Sequence, residues 1–140
     1  MPHDDLLSQL TFRPYNLDDR PFVLASFESS YWSSDAHRGL RGSDFHRLVV
    51  VPFESLLKRF PPTLAVFNDD ASDCAGWSLS SPEALFYVYV KPRYRKRGLG
   101  SALLARAPRP LTLVFLTADM RRLLRSHEIG YSLSPYLLLV

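Results

Sequence analysis

The residues best suited to chemistry lie in one short segment, residues 91–100, which reads KPRYRKRGLG. Five of its ten side chains are basic, and two are glycines. Arginine pairs with phosphate oxygens through two parallel hydrogen bonds, and glycine lets backbone amides approach an anion closely. A helix-like run follows, and the start of a helix favours negative charge. This segment, the basic glycine turn, is therefore predicted to hold a phosphate or a diphosphate.

The net charge of the chain is concentrated around this turn. Residues 1–90 carry seven basic and twelve acidic side chains, a net −5, whereas residues 91–140 carry ten basic and two acidic ones, a net +8. Such an asymmetry indicates an anionic partner, although a solvated basic surface without a partner has the same composition. Both interpretations stay open on charge alone.

Other phosphate-binding motifs do not fit the turn. A P-loop requires G-x-x-x-x-G-K-[ST], which is missing from the chain. A dinucleotide fingerprint requires a third glycine three residues after Gly100, where the chain has Leu103. Neither a P-loop nor a dinucleotide-binding site is therefore predicted.

Composition favours one compact domain spanning residues 1–140, because 46% of the side chains are hydrophobic. Cys74 is the only cysteine, which excludes an intrachain disulfide and a zinc site built from cysteines. The four histidines show no metal-ligand spacing, so we expect no metal. The first residues lack a signal pattern and the apolar runs are too short to span a membrane. A cytoplasmic protein without a membrane partner is expected.

Apolar periodicity predicts the elements that position the turn. The order is β-α-α-β-β-β-α-β-α-β, with a central strand before the turn and a helix after it. The fold class is α/β (α+β): one domain with a mixed, mostly antiparallel sheet, helices on both faces, and a strand-turn-helix site. The predicted strands are 10–15, 61–67, 74–80, 84–90, 111–117 and 136–140, and the predicted helices are 17–32, 43–60, 99–107 and 118–130.

Four local signals refine these elements. Asp18 or Asp19 is the expected N-cap of the first helix, and Pro52 should kink or restart the second. Residues 33–44 are expected to be a loop. Gly130 is the expected C′ residue of the last helix.

The basic glycine turn and its flanks resemble the acetyl-coenzyme A motif of the GNAT superfamily of N-acetyltransferases. The core of that motif is [RQ]-x-x-G-x-[GA], matched here by Arg95, Gly98 and Gly100. The predicted order of elements is also similar to that of the family over almost the whole chain, with a shorter final part. The flanking matches are Val90, Pro92, Tyr94, Ser101, Leu103 and Leu104.

The resemblance implies a V-shaped gap between strands 84–90 and 111–117, in which the pantetheine of acetyl-CoA would lie. The implied reaction is acetyl transfer from acetyl-CoA to a primary amine: a small molecule, a peptide N-terminus or a lysine. The backbone of Val88, Tyr89 and Val90 would bind pantetheine. The diphosphate would bind at Arg95, Lys96, Arg97, Gly98, Leu99, Gly100 and Ser101.

The resemblance gives less guidance on catalytic residues. Many family members place a tyrosine acid four residues before a Gly-Phe-like pair, and Gly130-Tyr131 resembles that pair. Counting back reaches Ser126, a departure from the family, and the adjacent His127 is expected to point elsewhere. Ser126 and Tyr131 are candidate catalytic contacts, or else a polar helix residue and a packing residue. Glu83 is the nearest candidate base before strand 84–90, unless it is only a solvated turn residue.

The acceptor site is expected between the first two helices and the central strand. Tyr31, Trp32 and Tyr87 are candidate acceptor-binding residues, with core packing as the alternative for each. The final apolar strand would leave a sheet edge that a second subunit could cover, as in a homodimer.

Two other functions compete with acetyl transfer. A catalytically degenerate protein that only binds coenzyme A would fit the serine at position 126. A nucleic-acid-binding module is the less favoured interpretation, because the chain lacks recognition-helix, RNP and zinc-finger signatures. Glycines among the arginines also favour a tight anion site over a flat basic face.

Overall fold

A computed structural model describes residues 5–32, 42–115 and 117–133 of the chain. Six strands form one sheet whose spatial order is the order along the chain. The strands are β1 (Leu10–Pro14), β2 (Thr63–Phe67), β3 (Asp70–Ser80), β4 (Leu85–Val90), β5 (Thr112–Leu113) and β6 (Ser132–Leu133). The helices are α1 (Arg20–Trp32), α2 (Gly42–Phe45), α3 (Val51–Arg59), α4 (Leu99–Leu104) and α5 (Ala118–Ser126).

The sheet is mixed and mostly antiparallel, as predicted. Strands β1 to β4 pair antiparallel with their neighbours, whereas β4 with β5 and β5 with β6 pair parallel. The turn between β2 and β3 confirms the predicted hairpin. Each parallel pair is connected through a helix, α4 or α5, as parallel strands require.

Helices cover both faces of the sheet, which confirms the predicted layers. Because side chains alternate along a strand, Leu64 and Ala65 on β2 point to opposite faces. Leu64 joins a large core formed with α1 and α3, whose centre is the buried Trp77. Ala65 joins a second core beneath Leu99 and Leu103 of α4. A third core links α4, β5 and α5.

Two predicted boundaries at the first helices were wrong. The cap before α1 is Asn16, whose side chain accepts the Asp18 N–H, while the Asp19 carboxylate accepts the Asn16 N–H at 2.9 Å. Asp19 thus closes a capping box instead of being the N-cap. Helix α2 begins at Gly42, inside the segment expected to be a loop. Residues 33–41 lie outside the described residues.

The restart expected at Pro52 is present. A π-helical stretch, His46–Val50, separates α2 from α3, and Pro52 sits in the first turn of α3. Proline is tolerated in a first turn because its missing N–H has no acceptor there. The wider π turn joins two helices of different register into one helical run.

The end of α5 differs from the prediction. The helix ends at Ser126, and the left-handed residue after it is Glu128, with φ 53°, instead of Gly130. Ile129 N–H donates to Leu124 O at 2.9 Å and Glu128 N–H donates to Arg125 O at 3.2 Å. These two bonds form a Schellman motif, with a glutamate where glycine is usual.

The strand predicted over residues 111–117 is paired only over Thr112–Leu113. Its partners are Leu85 on β4 and the short strand β6. The strand expected over residues 136–140 lies outside the described residues. Sequence patterns overestimated β5 because its apolar residues are buried without being paired along their whole length.

Candidate functional site

Strands β4 and β5 touch at one point and then diverge. Leu85 and Leu113 form the single bridge between them, and Val114 N–H donates to Leu85 O at 3.2 Å. Beyond this point β4 continues for five residues without a β5 partner, which leaves a V-shaped cleft in the sheet. The cleft is lined by Leu85, Phe86, Tyr87, Val88, Leu113, Phe115, Thr117 and Met120.

Backbone groups of β4 point into this cleft. Lys91 N–H donates to Ala75 O on β3 at 2.9 Å, so the Val90 carbonyl of the same trans peptide points away from β3. Because direction alternates along a strand, the polar backbone groups of Val88 share this orientation. Those of Tyr89 face β3 instead. Val88 and Val90 therefore offer hydrogen-bonding groups to the cleft.

The basic glycine turn closes one end of the cleft. A short 3-10 helix, Pro92–Tyr94, follows β4, and then Lys96 and Gly98 both adopt positive φ, 62° and 90°. Gly98 precedes α4, and no side chain caps the helix. The first amides of a helix have no acceptor within it. The turn thus presents uncapped N–H groups among basic side chains, as an anion site requires.

Arg95 is the arginine fixed most closely to the cleft. Its Nε donates to the Val90 carbonyl at 3.0 Å, and its Nη1 lies 3.8 Å from an Asp119 carboxylate oxygen. The side chain remains 44% exposed, so its charge is accessible. A guanidinium held by one backbone bond keeps further N–H donors for an anion.

The other basic residues of the turn are anchored in different ways. Lys91 lies 3.6 Å from Asp73 and over the ring of Phe22. Arg93 and Arg97 each place a guanidinium about 6 Å from the ring centre of Tyr94. Lys96 is exposed.

One face of α5 lies against the turn, a contact that the sequence analysis missed. A Cβ on Gly100 would lie 3.5 Å from Leu123 Cδ2, and His127 Nε2 lies 2.8 Å from the Ser101 hydroxyl oxygen. With Asp119 these residues have i, i+4, i+8 spacing, the signal of a single helix face. The expectation that His127 points elsewhere was wrong, because it belongs to this face.

Among the predicted acceptor residues, Tyr31 and Tyr87 come together beside the cleft. Their rings lie 6.1 Å apart, and both rings contact Phe115. The Tyr87 hydroxyl is hydrogen-bonded to Ser30 of α1 at 2.8 Å, and burial raises the pKa of Tyr87 to about 12. Trp32 is 43% exposed and packs edge-on against Phe45. Tyr87 is thus a neutral hydroxyl near pH 7 and cannot serve as a base.

The three predicted catalytic residues occupy exposed positions and are not among the residues that line the described cleft. Ser126 donates its hydroxyl to Leu123 O within its own helix at 2.9 Å. Tyr131 is 41% exposed, just before β6. Glu83 lies in the turn before β4. Their roles in catalysis stay predictions.

Two further searches bear on the site. In the described ranges, no group of three or more His, Cys, Asp or Glu side chains is arranged to hold a metal ion. The helices within those same ranges include none long and apolar enough to cross a membrane.

The chain matches no protein-family model and no curated protein in sequence. Its structure is similar to that of the aminoglycoside N-acetyltransferase AAC(6')-Iy in complex with CoA, with a TM-score of 0.54 and 14% identity over 88% of each chain. Apo-form YjaB from Escherichia coli gives 0.52 and 19% identity, over 69% of this chain. The match spans only 62% of the YjaB chain.

A GCN5-related N-acetyltransferase from Rhodopseudomonas palustris gives a TM-score of 0.50 and 17% identity, over 84% of this chain and 67% of that one. All three identities are below the level at which activity can be inferred, but the shared architecture is extensive. It confirms the fold that the motif predicted: this chain has the fold of the GNAT acetyltransferases.

Proposed function

We propose that the chain is an acetyl-CoA-dependent N-acetyltransferase that acts on a primary amine. The observation that carries the proposal is the cleft between β4 and β5, which opens after a single bridge and ends at the basic glycine turn. A narrow slot with backbone hydrogen-bonding groups, next to a site for anions, suits an extended ligand with a diphosphate. The fold of solved acetyltransferases supports this interpretation.

The residues of the turn fit a diphosphate. Gly98, at φ 90°, directs the uncapped amides that precede and begin α4. Arg95 has spare N–H donors beside them. Val88 and Val90 would bind the amide groups of pantetheine through their backbone. Lys96, Arg97, Leu99 and Ser101 complete the proposed coenzyme site, while Tyr89 would contribute from the opposite side of β4.

Binding energy and proximity would supply much of the rate. The bound thioester supplies an activated acetyl carbonyl, and a neutral amine held beside it reacts as in an intramolecular step. Tyr87 is the described cleft hydroxyl best placed to donate a hydrogen bond, since burial keeps it protonated. Tyr31 and Trp32 would form the acceptor side. Ser126, Tyr131 and Glu83 remain proposed catalytic residues, each requiring a rearrangement or a water to reach the cleft.

A second candidate function is coenzyme A binding without turnover. Ser126 favours it, because its hydroxyl is exposed and donates to its own helix backbone. We further propose that the active unit is the single domain 1–140, located in the cytoplasm. Homodimerisation is part of the same proposal and would use the sheet edge beyond β6.

Calorimetric titration with acetyl-CoA tests the coenzyme site. We expect the wild type to bind and Arg95→Glu to lose at least about tenfold in affinity, because a charged contact to phosphate becomes a repulsion. Arg109→Glu is the matched control: Arg109 is exposed, lies outside the turn, and undergoes the same change in charge. Equal binding by all three proteins, or no binding by the wild type, would contradict the proposal.

Thiol release from acetyl-CoA with a panel of small amines, peptides and lysine substrates separates the two candidate functions. Amine-dependent release that Arg95→Glu abolishes would support the acetyltransferase. Tight binding with no release against the whole panel would favour the binding protein. Unfolding curves of each variant, followed by circular dichroism, show that a loss of binding does not reflect a loss of fold.

A further inference from the structure

Helix α5 applies one face to the proposed coenzyme site. Asp119, Leu123 and His127, four residues apart, contact three residues that the proposed function assigns to coenzyme A. An anion, an apolar side chain and an imidazole thus follow the turn in sequence. The inference below concerns the anion and rests on the proposed function.

Asp119 holds the guanidinium that the diphosphate would need. Arg95 uses Nε for the Val90 carbonyl, and its Nη1 faces the Asp119 carboxylate at 3.8 Å. A carboxylate and a phosphate compete for the same N–H donors of an arginine. We infer that Asp119 is an affinity-determining residue, an internal anion that neutralises Arg95 in the free chain and that the diphosphate displaces.

The exchange leaves no carboxylate without a partner. Asp119 also pairs with Arg122, three residues further along α5. When the diphosphate takes Arg95, Asp119 keeps this second arginine. Arg95 and Asp119 are both more than 40% exposed, and exposed ion pairs are weak. We therefore expect the internal anion to lower the affinity for coenzyme A by about two- to fivefold.

Asp119→Asn removes the charge and keeps the shape of the side chain. Calorimetric titration with coenzyme A at low salt should give an affinity about two- to fivefold above that of the wild type. Asp73→Asn is the matched control, because Asp73 is also a half-exposed acid beside the turn and pairs with Lys91 instead of Arg95. It should leave the affinity near that of the wild type.

Pantetheine, which has no phosphate, is the ligand control, and its weak binding can be followed by amide chemical shifts. Its affinity should be equal for the wild type and Asp119→Asn. Unchanged or weaker coenzyme A binding by Asp119→Asn would overturn the inference. An equal gain with Asp73→Asn or with pantetheine would also overturn it, since the effect would not be specific to Arg95. A wild type that fails to bind coenzyme A would instead overturn the proposed function.

Discussion

At the scale of single residues, the end of α5 shows how a local preference can be overridden. Glu128 adopts φ 53°, a left-handed conformation that is costly for residues with a Cβ atom. Its charge also lies near the negative end of the helix dipole. Bonds from Glu128 and Ile129 to the last helical carbonyls, and packing of Ile129 against the third core, stabilise this arrangement.

Glu128→Gly should therefore stabilise the protein, by about 1 kcal/mol, because glycine adopts this conformation without steric cost. The free energy of unfolding, measured with urea, checks the prediction. Gly130→Ala is the control: a Cβ there would meet nothing within 4 Å, and its φ is not positive. A Glu128→Gly protein no more stable than the wild type would show that the cost is absorbed elsewhere.

At the scale of elements, one buried hydrogen bond ties α1 to the sheet. Trp77 on β3 is fully buried, and its indole N–H donates to the Ser26 hydroxyl at 2.9 Å. Ser26 in turn donates to the Phe22 carbonyl at 2.7 Å. The bond fixes the angle at which α1 crosses the sheet, and hence the place of Tyr31 beside the cleft.

We expect Ser26→Ala to lower the free energy of unfolding by about 1–3 kcal/mol, because it leaves a buried indole N–H without an acceptor. A double-mutant cycle with Trp77→Phe isolates the bond from the packing of the ring. In the Trp77→Phe background, Ser26→Ala should cost clearly less than in the wild type. The same cost in both backgrounds would mean that the bond does not contribute to stability.

The elements were largely predictable from the sequence, but their contacts were not. Apolar periodicity marked the strands and helices, and Arg95, Gly98 and Gly100 marked the turn. The cap at Asn16 was missed because three polar residues compete at that helix start. The contact of His127 with Ser101 was missed because it joins residues 26 positions apart on two different helices. Such pairing depends on how α4 and α5 pack, which no local pattern records.

At the scale of the whole molecule, Arg13 connects three parts of the chain. Its guanidinium makes two hydrogen bonds of 2.8 Å to Asp19, at the start of α1, and another to Ala71 O, at the β2–β3 hairpin. The bonds from Arg13 hold the pKa of the Asp19 carboxyl below its usual range. The ionised form of Asp19 is thus linked to the native fold.

This linkage predicts how stability depends on acid. The unfolded chain takes up a proton on Asp19 near pH 4, whereas the folded chain resists it, so stability present above about pH 4 is lost as the pH falls further. Asp19→Asn should be about 1–3 kcal/mol less stable at pH 7, with a flatter profile below pH 4. Urea unfolding at pH 7, 4 and 3 measures both effects.

Arg13→Gln should flatten the acid profile in the same way, since it removes the partner that holds the carboxylate ionised. The linkage would be contradicted if Asp19→Asn lost stability as steeply as the wild type between pH 4 and pH 3.

The single bridge at Leu85 and Leu113 gives the molecule an open strand edge in its interior. Over residues 86–90, β4 is flanked by β3 on one side only, although it is the fourth of six strands. An open edge with free N–H and C=O groups is a template for pairing with other chains, and so for aggregation. The unit of β5, α5 and β6 therefore shields this edge from self-association as well as forming a wall of the cleft.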